Sequence, residues 1–576
     1  MNQLEFYDMK SLSLILLAVT LAACSPPNTP QDLTAADSVF TNGRIYTVDD
    51  ARRWAEAVAI TDGRIVYVGS TDGANDFIGS DTNVVDLRGR MMLPAFQDSH
   101  IHPIYAGIEA SRCDLNNIND LAGYRAAIGE YAVANPDVEW ITGGGWSMSV
   151  FGPGGSPGKA IIDELVPDRP VYLSSRDGHS GWANSRALEI AGITRDTPDP
   201  PDGIIDRDPK TGAIIGSLQE GAMNLVTRHI PSETLTDRIG GLRYSMDLMH
   251  RYGITAFTDA IVERPALEAY EALDAGDELD LRVVASLWWN REQGLEQIDN
   301  LIALRDEFNN GGNLRPTTVK IMQDGVLENY TGALLGPYLV ASGTKGIPMV
   351  EPELLKQAVT ALDARGFQVH FHAIGDAAVR QSLDAIEEAL LENGQLGNRH
   401  HISHLQLVHP DDHARFAELE TIANFQPLWA YNDDYVTELT VPFIGEARAS
   451  YMYPIKSIQD AGGMIAFGSD WSVSTANPFP QIETAVTRLS ATGEDYPVLL
   501  PEERIDLQSA IAAFTINAAF LNKHDDETGS IEVGKLADLI VLDRNLFQIE
   551  PAGISETKIL LTLFGGEPVH GDPASL

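Results

Sequence analysis

The chain has 576 residues, and its 40 Lys and Arg stand against 82 Asp and Glu, a formal net charge of −42 at pH 7. A surface this acidic repels phosphate backbones and anionic lipid head groups, so nucleic acid is excluded as a partner. The length suffices for a large barrel with a satellite domain, or for several smaller domains.

The N-terminus predicts an export signal. An apolar run at residues 11–24, SLSLILLAVTLAAC, follows Met9-Lys10 and is too short to span a bilayer as a stable helix. Its ending resembles a bacterial lipobox, which implies that Cys24 receives a lipid and becomes the mature N-terminus. An ordinary cleaved signal peptide with an incidental cysteine is the alternative. Because acidic residues precede Met9, this residue is an alternative start to Met1.

We therefore predict a signal peptide over residues 1–23 and a Pro-rich tether over residues 24–37. The expected location is outside the cytoplasm, on a bacterial membrane through a lipid anchor, facing the periplasm or the exterior. Lipidation of Cys24 leaves Cys113 without a partner, so no disulfide framework is available.

At both ends of the remaining chain the sequence pattern predicts short strands. Between residues 39 and 93, Asn42-Gly43 and Asp62-Gly63 stand between alternating apolar residues, a pattern typical of β-hairpins. Residues 529–545 predict two further strands joined by a turn. We expect residues 38–96 and 526–576 to build one small β-sandwich domain.

From residue 97 to residue 525, apolar strand-like runs alternate with stretches of helical period, such as 352–366 and 376–394. This alternation predicts an α/β fold with a parallel (β/α)₈ barrel. With the run before His100 there are nine strand candidates, one too many, and the surplus is expected at 171–175 or 281–287. The other candidates are 253–259, 317–322, 367–373, 400–406, 422–426 and 464–470.

The segment 115–225 is rich in Gly and Pro and too long for an ordinary loop. We expect it to be an insertion over the barrel mouth, in the position of a lid.

His100 and His102 stand two residues apart in MLPAFQDSHIHP, at the end of an apolar run. Alternate residues of a strand face the same side, so both imidazoles point the same way. Inside a barrel mouth they would converge on one point, as a divalent transition metal requires. Active groups in a parallel barrel lie at the C-terminal ends of the strands, where further ligands are expected.

Two later strands end in histidines. In FQVHFHAIGD, His370 and His372 face inward, and His372, nearest the end, is the expected ligand, whereas His370 is expected one layer deeper. In RHHISHLQ the same period places His404 at the strand end on the inner face. It places the neighbouring His401 outside the barrel.

Asp470 ends the strand MIAFGSD, in which Ala466 and Gly468 face inward and leave room at the mouth. A carboxylate at this position can be a metal ligand, the general base, or both. The alternative is a helix N-cap.

Lys320 in TTVKIM also faces inward. A cluster of cations would repel its ammonium group, so the amine must be neutral, paired or chemically changed. Carbamylation by CO₂ would produce a carboxylate, a carboxylysine, able to bridge two metal ions. The alternative is an ion pair with Asp324 or Asp470.

The order of these motifs resembles the amidohydrolase superfamily, within it the family-three branch that includes N-substituted formamide deformylase-like proteins. The resemblance extends from about residue 39 to residue 542, and the segment DRPVYLSSRDGHSGWANSRAL at 168–188 is specific to that branch. It implies a (β/α)₈ barrel with a sandwich built from both termini, and Lys320 at the position of a carbamylated bridging lysine. The metal ligands it implies are His100, His102, His372, His404 and Asp470.

Three further residues follow from the resemblance. His179 in DGHS matches a recurrent position and is a candidate for substrate contact or for a structural role in the insertion. The stretch MQDGVLENYTGAL departs from the small-residue DGSLGSRTA-like run of relatives. Glu328 and Tyr330 in that stretch are therefore candidates for a different specificity.

The expected function is metal-dependent hydrolysis with one or two Zn²⁺ ions, or another divalent metal, and with Asp470 as the proton carrier. The favoured substrates are small molecules with a non-peptide C–N bond: an amide, an N-formyl group or a cyclic amide. The alternatives are deamination or ester and lactone hydrolysis at the same centre, and a non-catalytic, lipid-anchored binding or regulatory protein. Assembly as a homodimer is left open.

Overall fold

The computed structural model describes residues 35–51, 53–152 and 155–576. The predicted signal peptide, Cys24 and most of the predicted tether lie outside these ranges. Residues 35–37 of the tether are described, and there the buried Ala36 donates its backbone N–H to the Phe77 carbonyl at 2.8 Å, so the folded part begins earlier than predicted. Within the described residues, no helix combines the length and the apolar character that crossing a membrane would need.

The N-terminal segment consists of short strands with one helical turn. They are β1 (Ser38–Thr41), β2 (Arg44–Tyr46), β3 (Trp54–Ala55), β4 (Ala57–Thr61), β5 (Arg64–Gly69), α1 (Thr71–Ala74), β6 (Asn83–Asp86) and β7 (Met91–Pro94). Strands β4 and β5 pair antiparallel across Asp62-Gly63, as predicted, with positive φ at both turn residues. The hairpin predicted at Asn42-Gly43 is wrong: β1 pairs with β4 and β6, whereas β2 pairs with β3 and β7. This turn carries the chain between two sheets.

The barrel begins at β8 (Phe96–Ile101) and α2 (Pro103–Glu109), and the chain then enters the insertion. Its elements are β9 (Cys113–Asp114), α3 (Leu121–Ala134), β10 (Ile141–Trp146), α4 (Lys159–Asp163), β11 (Val171–Ser175), β12 (Ser180–Ala183), α5 (Ser185–Ile190), β13 (Gly203–Arg207), β14 (Ile214–Glu220) and α6 (Asn224–Thr227). Its six strands form one sheet, in the order β13-β14-β12-β11-β10-β9. The surplus strand candidate is therefore 171–175, which is β11 of this sheet.

The rest of the barrel follows. Its strands are β15 (Ile254–Val262), β16 (Arg282–Trp288), β17 (Leu314–Met322), β18 (Gln368–Ala373), β19 (His401–His404), β20 (Ile422–Phe425) and β21 (Ile465–Phe467). Its helices are α7 (Leu235–Arg251), α8 (Arg264–Asp274), α9 (Ile298–Phe308), α10 (Pro352–Asp363), α11 (Asp376–Asn393), α12 (His413–Glu418), α13 (Val441–Ile444), α14 (Glu446–Ala449), α15 (Ile455–Asp460), α16 (Pro478–Thr487), α17 (Leu507–Ala513) and α18 (Ile516–Leu521).

The eight barrel strands run parallel in the order β8-β15-β16-β17-β18-β19-β20-β21. The two end strands approach each other, because Ser99 Oγ donates to the Phe467 carbonyl at 2.6 Å and the Asp470 N–H donates to the His100 carbonyl at 2.7 Å. The sheet is thus a nearly closed eight-stranded barrel. The predicted (β/α)₈ fold is confirmed.

The C-terminal segment adds β22 (Leu539–Leu542), β23 (Ile559–Phe564) and β24 (Glu567–His570). These strands join a six-stranded sheet in the order β24-β23-β22-β7-β2-β3, and a second sheet has the order β5-β4-β1-β6. Only β22 forms within 529–545, because Val533 and Gly534 make a turn where the first strand was predicted. Arg282 at the start of β16 forms a buried ion pair with Asp538, just before β22, which ties the barrel to the six-stranded sheet.

Candidate active site

The C-terminal ends of the barrel strands bring His100, His404 and Asp470 together, with one ligand atom from each lying within 4.8 Å of the other two. All three side chains are buried. The Asp470 carboxylate is central: its Oδ1 lies 3.0 Å from His102 Nε2 and 3.5 Å from His100 Nε2, and its Oδ2 lies 3.8 Å from His404 Nδ1. Four of the predicted ligands therefore share one site.

The junction between β8 and β21 positions this cluster. The buried Asp98 carboxylate accepts the backbone N–H of His100 at 3.1 Å and of Ser469 at 2.9 Å, which fastens the two strand ends together. A Cβ on Gly468 would lie 2.6 Å from the His100 backbone nitrogen, so this approach requires glycine. Asp470 itself has φ 53°, which turns its side chain into the mouth.

His372, at the end of β18, stands beside the cluster. Its ring centroid is 4.5 Å from that of His404, and its Nδ1 is 3.3 Å from Asp324 Oδ1. Asp324 in turn accepts backbone N–H groups from Ala333, Ile374 and Gly375 at 2.8 to 3.0 Å. The His372 ring thus lies beside both His404 and a carboxylate that backbone N–H groups orient.

Lys320 lies deeper in the barrel, 1% exposed, with its Nζ 3.4 Å from His370 Nε2. Among the described residues it forms neither of the ion pairs offered as alternatives, with Asp324 or with Asp470. Burial lowers the pKa of Lys320 to about 7. The neutral amine, the form that reacts with CO₂, is therefore well populated near neutral pH.

His370 occupies the layer below the cluster, as predicted. Its Nε2 lies 2.9 Å from both His100 Nδ1 and Ser403 Oγ, and its Nδ1 lies 3.1 Å from Ser286 Oγ. These contacts support His100 from inside the barrel.

The prediction that His401 lies outside the barrel is wrong. His401 is fully buried, with its ring centroid 4.2 Å from that of His370 inside the barrel. His400 instead turns outward and contacts Asp363 at 3.0 Å through its Nε2. The prediction assumed that residues alternate regularly between the two faces of the strand up to His404. The backbone is irregular there, with φ 82° at His404, so the His404 side chain reaches the mouth although His401, on the other face by this count, also lies inside the barrel.

The insertion contributes His179 to this mouth. The ring centroid of His179 is 5.1 Å from that of His372, and its Nδ1 lies 3.0 Å from both carboxylate oxygens of Glu220. Burial alone would lower the pKa of His179, but the Glu220 carboxylate outweighs it and raises the pKa to about 9. Sequence reasoning missed Glu220, since no motif marks it.

The other two candidates contact residues outside the ligand cluster. Glu328 is buried, and its Oε1 accepts hydrogen bonds from Gln406 at 2.9 Å and Thr440 at 3.0 Å. The Tyr330 ring packs on Phe443 with centroids 5.1 Å apart. Sequence reasoning also missed Trp429, whose ring stacks on His404 at 5.4 Å and an interplanar angle of 11°.

The donor set fits a divalent metal ion. Among the described residues, His404 Nδ1 and Asp470 Oδ1 are buried without a hydrogen-bond partner, because the short approaches around them lack hydrogen-bond geometry. Such orphaned atoms each cost about 1 to 3 kcal/mol, and a metal would satisfy them. Burial also holds the pKa values of His100, His372 and His404 well below the usual range, so these rings are neutral, as metal ligands must be.

Known proteins resemble the chain over most of its length. Residues 83–570 match the sequence model of the amidohydrolase family. Protein LONG AFTER FAR-RED 3 of Arabidopsis thaliana is 31% identical over 94% of this chain and 93% of its own. N-substituted formamide deformylase of Arthrobacter pascens is 26% identical, over 92% and 97%.

A solved structure gives the same picture. The crystal structure of an uncharacterized metal-dependent hydrolase from Pyrococcus furiosus is 25% identical and superposes with a TM-score of 0.67, over 88% of this chain and 99% of that one. Together with the family match, this structure supports a metal-dependent hydrolase. The chain belongs to the amidohydrolase family.

Proposed function

We propose that this protein hydrolyses a non-peptide C–N bond in a small molecule, namely an amide, an N-formyl group or a cyclic amide, with one or two Zn²⁺ ions as cofactor. The main support for the proposal is the position of the Asp470 carboxylate among His100, His102 and His404. In this cluster, buried nitrogen and oxygen atoms have no hydrogen-bond partner among the described residues. The likeness to N-substituted formamide deformylase supports the substrate class.

The chemistry of the donor set supports the choice of residues that would hold the ion. Imidazole nitrogens and carboxylate oxygens are ligands that Zn²⁺ prefers in proteins. When bound, such an ion lowers the pKa of water and polarises a carbonyl group. The buried Lys320 amine, if carbamylated, would add a carboxylate to the groups that could hold a second ion. The residues proposed as ligands are His100, His102, Lys320, His372, His404 and Asp470.

Asp470 is the proposed proton carrier. One of its carboxylate oxygens takes a proton from the attacking water, and the same group delivers it to the departing nitrogen. Asp470 is 5% exposed and its carboxylate lies beside three imidazoles, which places the proton acceptor at the proposed reacting centre.

Three residues are proposed to act on the substrate. His179 contacts it from the insertion side, beside His372. Glu328 and Tyr330 act on specificity through the loop after β17, which Glu328 joins to Gln406, two residues beyond His404. Trp429 covers one face of His404 and limits the access of water there.

Metal analysis combined with a substrate panel tests the proposal. The panel contains N-substituted formamides, N-acyl amino acids, cyclic amides, lactones and amino-substituted heterocycles. We expect stoichiometric zinc and release of amine from a formamide or amide, lost on chelation and restored by Zn²⁺. Ammonia released from a heterocycle would indicate a deaminase, and lactone opening alone an esterase-type enzyme. Bound metal with no turnover would indicate a binding or regulatory protein.

A further inference from the structure

A histidine and a carboxylate meet where two strands of the insertion end. Strands β12 and β14 pair antiparallel, with Ser180 opposite Gln219, and the Glu220 N–H donates to the His179 carbonyl at 3.1 Å. His179 and Glu220 are thus the next pair along this ladder. The sheet itself brings their side chains together, although they are 41 residues apart.

The geometry of this pair orients the imidazole. His179 Nδ1 lies 3.0 Å from both oxygens of Glu220, which is 8% exposed. A proton on Nδ1 is donated to the carboxylate, and this leaves Nε2 as the nitrogen available to a ligand. The ring itself lies beside His372, with the two centroids 5.1 Å apart, and so stands at the barrel mouth.

The carboxylate is also anchored to the barrel. The Thr331 hydroxyl, in the loop after β17, lies within hydrogen-bond distance of Glu220 Oε1 at 2.8 Å and of Asn329 Oδ1 at 2.5 Å. A Cβ on Gly325 would lie 2.2 Å from Glu220 Oε1, so the loop approaches only because Gly325 has no side chain. Glu220 adopts φ 51°, a strained conformation that persists where the surroundings hold it in place.

We propose that Glu220 is a positioning residue that holds His179 in its orientation toward the substrate, and that Thr331 fixes the Glu220 carboxylate to the barrel. The contact between His179 and substrate rests on the proposed function; the orientation of the imidazole by Glu220 does not. The insertion then supplies an oriented group to the reaction.

A double-mutant cycle tests this role. The variants are Glu220→Ala, His179→Ala and the double mutant, measured for kcat and KM on the best amide of the panel, for zinc content and for melting temperature. We expect Glu220→Ala to lower kcat/KM about 10- to 100-fold while zinc content stays at the wild-type value. The double mutant should fall no further than His179→Ala, because Glu220 acts through His179.

Conservative variants separate orientation from folding. Glu220→Gln should keep more activity than Glu220→Ala, because its amide oxygen still accepts from Nδ1. Thr331→Val should lower kcat/KM, and Thr331→Ser should restore it. If Glu220→Ala does not fold, Glu220→Gln and Thr331→Val carry the same comparison. The control is Glu189→Ala on α5, where the exposed carboxylate pairs with Arg186.

A readout without turnover separates this inference from the proposed function. In ¹⁵N-histidine-labelled protein, the Nδ1–H signal of His179, assigned by its loss in His179→Ala, should disappear or shift in Glu220→Ala. An unchanged signal overturns the inference, as would losses of activity that multiply in the double mutant. If the signal responds but no compound of the panel is hydrolysed, the pairing holds and the proposed C–N substrate class is wrong.

Discussion

The Asp470 carboxylate lies 3.0 to 3.8 Å from nitrogens of three imidazoles, which places its charge and its proton affinity at the proposed reacting centre. Asp470→Asn keeps the volume but removes the negative charge and the proton acceptor. We expect kcat to fall by about 10²- to 10⁴-fold with little change in the circular dichroism spectrum. The exposed Asp81→Asn is the matched control. Near-wild-type turnover in Asp470→Asn would remove this residue from the mechanism.

The buried His524 should make the folding stability of the protein depend on pH. It is 1% exposed, its Nδ1 accepts from Arg315 at 3.0 Å, and burial lowers its pKa to about 3. The unfolded chain has a pKa of about 6.5 at this residue, so between these values only the unfolded state is protonated. The stability contributed by neutral His524 is therefore complete above pH 6.5 and is lost as pH falls toward 3.

The slope from this group is about 1.4 kcal/mol per pH unit. We expect His524→Gln to lose less unfolding free energy than the wild type between pH 6.5 and pH 5.5, by about 1 kcal/mol, because the unfolded-state imidazole is already half protonated at pH 6.5 and the full slope applies only below it. Urea unfolding of the wild type and of His524→Gln, both freed of metal with a chelator, at pH 6.5 and at pH 5.5 measures the difference. Parallel pH dependences would show that His524 does not remain neutral in the folded protein.

At the scale of elements, the closure of the barrel depends on how closely β21 approaches β8. Gly468→Ala would place a methyl group 2.6 Å from the His100 backbone nitrogen. We expect a loss of about 1 to 3 kcal/mol of stability and a weaker metal site, because the strand that carries His100 must move. Chemical denaturation and zinc titration measure the two effects.

Gly129 provides the matched control. It lies within α3, and a Cβ there meets nothing within 4 Å. Gly129→Ala should therefore stabilise the protein by about 0.5 to 1 kcal/mol, since alanine is the better helix former. Equal effects of the two substitutions would contradict the tight contact between β21 and β8.

At the scale of the whole molecule, the Arg282–Asp538 ion pair joins the barrel to the six-stranded sheet. Both side chains are buried, and the Arg282 guanidinium also lies 4.4 Å from the Phe564 ring centroid. Arg282→Met leaves a buried carboxylate uncompensated, so we expect a loss of about 3 to 5 kcal/mol in urea unfolding. Adding Asp538→Asn should recover part of that loss. A single variant as stable as the wild type would show that the pair is not needed.

The predicted lipid anchor also belongs to this scale. Expressed in a bacterium that processes lipoproteins, the full chain should partition with membranes, and Cys24→Ser should release it, because the thiol that receives the lipid is gone. Fractionation followed by mass spectrometry of the N-terminus measures this. If the wild type is found in the soluble periplasmic fraction, Cys24 is an incidental residue.

Local patterns predicted much of the barrel and part of its mouth. The alternation in HFHAIGD indicates that His372 faces inward at a strand end, and this side chain is buried beside His404. The same count fails at His401, because it assumes regular backbone through His404, where φ is 82°. The candidate 171–175 is a real strand, but it belongs to the insertion sheet.

The sequence by itself determined the alternation of strands and helices, the ends of most barrel strands and the residue types at those ends. These properties depend on side chains a few positions apart, so a linear pattern contains them. The tertiary structure alone decided that the Asn42-Gly43 turn joins two sheets, that His401 lies inside the barrel and that Glu220 meets His179. Each of these depends on packing and hydrogen bonds between segments that are distant in the sequence. Such segments become neighbours only when the barrel and the insertion sheet have formed.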